Sequence, residues 1–276
     1  MWLLYTLAAA GLWGVGQVLT KKGLANISPL WNNIISYGFM LITMLPLVLW
    51  GGADFSRAIA ILPVTIVMAT TYLSFYYVIS KGEIALTGTI WSAYPLATVI
   101  LASLFLGETT SGLQKMGITG TLTGAVLIAW PAGRKFELQS WVWWGTAGAI
   151  MVGSADFLMK LVMRRVDVYT YILSQVLATG IALLGSWFID KTGQKVTRLS
   201  VRSWLPTLAG VGMMQMGMLS FIIAMSLGQA SLVGPISGIY QAITVLLAMV
   251  WLKEKVNLRQ LAGIGLAVSG VLVLAL

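Results

Sequence analysis

Apolar runs of 18 or more residues follow one another almost end to end along this 276-residue chain, parted only by short polar breaks. A run of that length crosses roughly 30 Å of hydrocarbon when helical. Lipid offers the backbone no hydrogen-bonding partner, so such runs must bond internally as helices. Only 9% of the residues are charged, against roughly 25% in an ordinary soluble domain. These features predict an all-α membrane protein, multi-pass in the cell membrane. The breaks place spans near residues 2–20, 31–50, 59–79, 84–106, 113–131, 141–160, 168–189, 204–226, 230–252 and 258–276. Met1 to Thr20 lacks a basic leader segment and reads as the first of these ten spans. Short connections such as Gly51 to Ser56 make successive helices antiparallel neighbours, and only Asp190 to Ser203 reads as a long polar loop.

The charges exclude several classes of function. The net charge of +9 comes from Lys and Arg placed singly or in pairs at the ends of apolar runs. That placement suits headgroups and topology rather than nucleic acid. Cys and His are both absent, which removes the usual metal ligands and acid–base groups, so no metal, cofactor or enzymatic activity is expected. No Gly-rich loop ending in Gly-Lys-Ser/Thr points to ATP. Connections after odd-numbered spans hold 12 Lys and Arg against 5 after even-numbered spans. The positive-inside rule then puts both termini outside.

An internal repeat organises the chain. A shift of 146 residues lays Ser80–Ile128 over Ser226–Leu274 without a gap, matching Tyr94 with Tyr240, Thr98 with Thr244, Glu108 with Glu254, Gln114 with Gln260, Gly117 with Gly263 and Gly124 with Gly270. Shared Leu and Gly arise by chance in apolar helices. A shared Tyr, Glu and Gln in one register do not. A weaker shift of 139 lays Gln17 over Asp156 and Lys21 over Lys160. Two five-helix repeats follow, residues 1–132 and 141–276. An odd number of spans per repeat inverts the second copy, an arrangement typical of secondary transporters.

The doubled segment Ala85–Ile128 and Ala230–Leu274 resembles the EamA-like branch of the drug/metabolite transporter superfamily. In that branch each repeat ends in an apolar span, an acidic position and a Gly-studded final helix. Glu108 and Glu254 match the acidic position, and Pro95 a mid-span proline. The resemblance implies a ten-helix carrier of amino acids, drugs or other metabolites. Ser36 stands where many relatives carry an Arg, and Trp13 where the superfamily's small multidrug pumps carry an essential Glu. A single-carboxylate drug-pump mechanism is not implied at that position.

The candidate substrate-binding residues are few. Asp156 is the acid nearest a membrane interior, and an intramembrane acid is costly enough to suggest function. It is suited to an amine or a coupling proton. Lys160, four residues on, offers the alternative of an intrahelical ion pair. Trp91, Tyr94 and Thr98 share one helical face, and Ser237, Tyr240 and Thr244 repeat that spacing. Two such faces would line a cavity, the alternative being an interfacial aromatic belt. Gln17, Gln215 and Gln241 complete the set, drawn from polar residues within spans that also include Asn33, Tyr72, Tyr76 and Gln175. Four Met residues around Gln215 suit an adaptable wall. Pro95 and Pro235 suggest kinks, mobile or static, while Glu108 and Glu254 are expected to cap the helices that follow them.

The resulting expectation is a secondary transporter of a small metabolite or drug-like solute, working by alternating access between the repeats. Its partners are that solute, the bilayer, and a proton or other coupling ion, with no nucleic acid. Export is the first direction considered; uptake or exchange of a cationic or zwitterionic metabolite is the second, and lipid flipping the third. An intramembrane enzyme would need an Asp/Glu or Ser-based site, which two acids facing one cavity would signal, and a channel a continuous polar pore.

Overall fold

The computed structural model describes residues 1–24, 27–80, 94–129, 140–191, 193, 201–251 and 257–275, and these form helices joined by short turns. In chain order they are α1 (Trp2–Leu24), α2 (Pro29–Gly51), α3 (Phe55–Ala60), α4 (Leu62–Ser80), α5 (Tyr94–Phe105) and α6 (Gly112–Ala129). Then come α7 (Ser140–Met163), α8 (Val168–Ile189), α9 (Val201–Leu227), α10 (Ala230–Ser237), α11 (Tyr240–Trp251) and α12 (Leu258–Ala275). Among the described residues six stretches are long and apolar enough to cross a membrane, with Tyr94–Phe105 and Leu258–Leu274 as shorter apolar helices. The outer face carries Ile42, Leu49, Leu104, Leu184 and Leu272 in exposed positions. In water that surface would aggregate, whereas in hydrocarbon it is the solvated face.

Polar residues at the breaks start and stop the helices. Ser28 precedes Pro29, and its hydroxyl accepts from the Trp31 N–H, while Gly52 ends α2 with a φ of 70°. Asp167 accepts from the Tyr169 and Thr170 N–H groups at 2.9 Å each. Burial opposes ionisation there, but the Thr170 hydroxyl and these N–H bonds hold its carboxyl below the ordinary range. Asp167→Ala is expected to lower stability by about 1 kcal/mol, the usual loss of an N-cap, read as the thermal midpoint in detergent. The Gln114/Gln260 identity has a local cause. Gln114 and Ser111 exchange side-chain-to-backbone bonds at 2.9 and 3.2 Å, and Gln260 and Asn257 do the same at 3.0 and 2.9 Å. Both are reciprocal caps at the start of a repeat's final helix.

Close helix pairs depend on glycine. A Cβ on Gly16 would lie 2.8 Å from the Gly210 carbonyl, and one on Gly210 2.8 Å from the Gly16 carbonyl, so α1 and α9 meet backbone to backbone. At the α6–α12 seam a Cβ on Gly124 would stand 2.4 Å from Ala267 N and 2.6 Å from Gly263 O. Gly270, 146 residues after Gly124, would meet Thr121 N at 2.5 Å and Gly117 O at 2.7 Å. Each contact maps onto the other under the same 146-residue shift. Small residues of this kind let membrane helices approach closely.

Several boundaries differ from the sequence expectation. The third span contains two helices, α3 and α4, parted at Ile61. The ninth is broken at Gly238 and Ile239, just after Pro235, which can donate no backbone hydrogen bond. α9 begins at Val201, so the polar connection before it is shorter than the expected Asp190 to Ser203. The first part of the fourth span, with Trp91 and Gly88, lies outside the described residues, as does Glu254.

Candidate functional site

A cavity of about 160 Å³ lies inside the bundle. Its wall takes residues from α1 (Trp13), α2 (Asn33, Ser36, Tyr37, Met40), α4 (Ala69, Tyr72, Leu73, Phe75, Tyr76), α5 (Tyr94), α7 (Val152, Asp156), α8 (Gln175, Thr179), α9 (Met214, Gln215, Met218, Phe221) and α11 (Tyr240). Trp13 and Asp156 are mid-helix residues, whereas Asn33 and Ser36 belong to the first two turns of α2 and Tyr76 to the last turns of α4. The cavity therefore runs from the middle of the bundle toward the end where α2 begins and α4 finishes.

Among the described residues Asp156 is the only acid on this wall, and it is 1% exposed. The Tyr72 hydroxyl donates to its Oδ1 at 2.8 Å, while Oδ2 is buried without a partner. Lys160 does not pair with it. The Lys160 ammonium donates instead to the carbonyls of Met225 and Gly228. Beside the acid stands an aromatic wall. Trp13 packs on Phe221 with centroids 5.1 Å apart and edge-on to Tyr240 at 5.9 Å. Its indole N–H is held by the Met214 carbonyl at 3.1 Å. Gln215 donates to the Ser36 hydroxyl, and its own carbonyl oxygen is buried without a partner. Asn33 donates to the Leu73 carbonyl at 3.0 Å.

Of the ten residues singled out by sequence, Tyr94, Asp156, Gln215 and Tyr240 line this cavity. Ser237 stands behind Tyr94, hydroxyl to hydroxyl at 2.9 Å, and fixes its ring. Thr98 donates to the Gly153 carbonyl at 3.2 Å and joins α5 to α7. Gln17 and Thr244 bond each other at 3.0 Å across α1 and α11. Gln241 is buried on α11 off the cavity wall, with its carbonyl oxygen unpartnered. Trp91 lies outside the described residues. Sequence reasoning noted Tyr72 and Trp13 without placing them at the site. The 146-residue shift carries the missing signal: it pairs Ala69 with Gln215, Tyr72 with Met218, Phe75 with Phe221 and Tyr94 with Tyr240, all of them on the wall.

At the opposite end of the bundle charged side chains bind backbone groups of neighbouring helices. Arg164 donates to the Leu106 carbonyl at 2.8 Å. Glu108, 8% exposed, accepts from the N–H groups of Ala230 at 3.0 Å and Ser231 at 2.8 Å. It was expected to cap the helix that follows it, and it caps α10 instead. The carboxylate meets the positive end of that helix's dipole.

The profile of the EamA-like transporter family matches residues 1–130 and again 139–276. The chain belongs to that family. An uncharacterized transporter of Archaeoglobus fulgidus is 24% identical to this EamA-like chain over 281 residues, covering 99% of it and 98% of the relative. An uncharacterized protein of Methanocaldococcus jannaschii is 30% identical over 135 residues, 48% of this chain and 93% of its own. A crystal structure of a protein superposes with a TM-score of 0.80 at 18% identity, over 99% of this chain and 95% of that one, and shares the fold. This EamA-like protein is a multi-pass membrane transporter, with a small-molecule substrate and the bilayer as its partners.

Proposed function

We propose that the protein is a secondary transporter of the cell membrane that exports a small organic solute by alternating access. Its moving parts are two inverted five-helix repeats, residues 1–132 and 141–276. The observation that carries this reading is the wall itself, where residues from both halves stand in pairs related by the 146-residue shift. One site shared by two oppositely inserted halves can face either side when the halves exchange conformations. The half-length match to the Methanocaldococcus jannaschii protein, which spans about one repeat, supports the same division. The charged stitching at the Glu108 end and the cavity's reach toward the other end suit a state occluded from one side. A proton at Asp156 is the coupling ion that the site's chemistry favours, since its buried Oδ2 carries no protein partner.

The test uses the absence of Cys from the chain. Single cysteines placed at Trp2 and Ala275 should react with a membrane-impermeant maleimide from the same face of sealed vesicles, the face outside the cell. Reaction from opposite faces would exclude the inverted arrangement. Cysteine at Ser36 should be labelled from the other face and be protected by transported solute.

A further inference from the structure

Within the transporter reading, we infer that the cargo is an organic monocation: a primary ammonium on an apolar body about one aromatic ring in size, bearing no acidic group. The balance of charge and hydrogen bonding on the cavity wall carries this inference. That wall holds one carboxylate and, among the described residues, no Lys or Arg. A bound carboxylate or phosphate would find no Lys or Arg there and would face the Asp156 carboxylate across the cavity. A zwitterionic amino acid would have its ammonium satisfied and its own carboxylate stranded, a costly arrangement in a low-dielectric site.

The vacant polar capacity points the same way. Two buried polar atoms on the wall lack any protein partner, Asp156 Oδ2 and Gln215 Oε1, and both are acceptors. Two donors beside them are already occupied, the Tyr72 hydroxyl by Asp156 and the Trp13 indole by a backbone carbonyl. An ammonium offers three N–H donors and one positive charge. It would satisfy the open carboxylate oxygen beside the aromatic rings of Trp13, Phe221 and Tyr240, which suit cation–π and apolar contact. The volume of about 160 Å³ is close to that of the ~150 Å³ apolar cavity that admits benzene. With one negative charge on the wall, one positive charge on the cargo closes the account. A diamine or a guanidino acid would leave a group unmatched.

Three probes of one shape separate the possibilities: 2-phenylethylammonium, 3-phenylpropionate and phenylalanine. Binding to the purified full chain is measured by titration calorimetry, and counterflow of each by the chain in proteoliposomes. The ammonium is expected to bind at least about tenfold more tightly than phenylalanine, with no binding of phenylpropionate. Asp156→Asn should weaken it by about 30-fold or more, as removal of one member of a buried charge pair does. Because the probe comparison uses the unaltered chain, it stands even if that variant folds poorly. Phenylalanine or phenylpropionate binding as tightly as the ammonium, or no binding by any of the three, would overturn the monocation assignment. If either acid is also exchanged, the transporter reading survives that loss. Selective ammonium binding with no counterflow would uphold the assignment and sink transport instead.

Discussion

Glu108→Ala is expected to lower the unfolding free energy by about 3 kcal/mol, roughly the worth of two hydrogen bonds to a buried charged group. The reason is that α10 begins without a cap of its own. Gln229 occupies the N-cap position and makes no side-chain cap bond. Glu108 arrives from the other half of the chain and takes the Ala230 and Ser231 N–H groups on separate oxygens. Without it, two donors in a buried turn have no partner, and α10, only 8 residues long before its break, has little cooperativity with which to hold itself. Glu108→Gln keeps one acceptor oxygen and should lose about half as much. The measurement is thermal or denaturant unfolding in detergent, and a loss below about 0.5 kcal/mol for the alanine variant would show that the cap contributes nothing measurable. Lys160, which binds the carbonyls leaving α9, holds the other side of the same turn. Loosening either group should also make a cysteine at Ser231 more accessible from that end of the bundle.

The periodic, strongly apolar features of this fold were legible in the sequence. Helix content, the short connections and the Gly-rich last helices follow from local pattern, because in lipid the backbone has no other choice. The repeat exposed Tyr94 with Tyr240, and it held Gln114 with Gln260 for a reason visible only in the folded chain, a cap at each helix start. What pattern could not supply was partnership across the bundle. The four-residue spacing of Asp156 and Lys160 permits an ion pair. The ammonium goes to the carbonyls of Met225 and Gly228, because a helix end leaves carbonyls unsatisfied and they lie within its reach. Glu108 likewise bonds across a separation of 122 residues in sequence. Thr98, Thr244 and Gln17 share faces with cavity residues, but their hydroxyl and amide groups are taken up by neighbouring helices, as polar groups within spans commonly are. The break after Pro235 needed the structure to turn an expected kink into two helices.

The second large effect is expected at the α6–α12 seam. Gly124→Val should cost 3 kcal/mol or more, about the upper end for overpacking, because the atoms a Cβ would meet are the Ala267 amide and the Gly263 carbonyl, which are backbone and cannot rotate away. The two helices would have to separate, and lipid provides no hydrophobic pressure to press them back together. Gly265 on α12 has nothing within 4 Å of its Cβ position, so Gly265→Ala should be neutral or slightly stabilising. Gly270→Val carries the sharper test. It would strike the Thr121 amide and the Gly117 carbonyl, the same backbone atoms displaced by 146 residues. The proposed two-fold relation between the repeats would make the two glycines equivalent, like contacts across an isologous interface. Their valine variants should therefore lose stability to within about 0.5 kcal/mol of each other. The double variant should lose less than the sum, since a seam already forced apart has little left to lose. A tolerant Gly270 beside an intolerant Gly124 would mean that the seam is not symmetric.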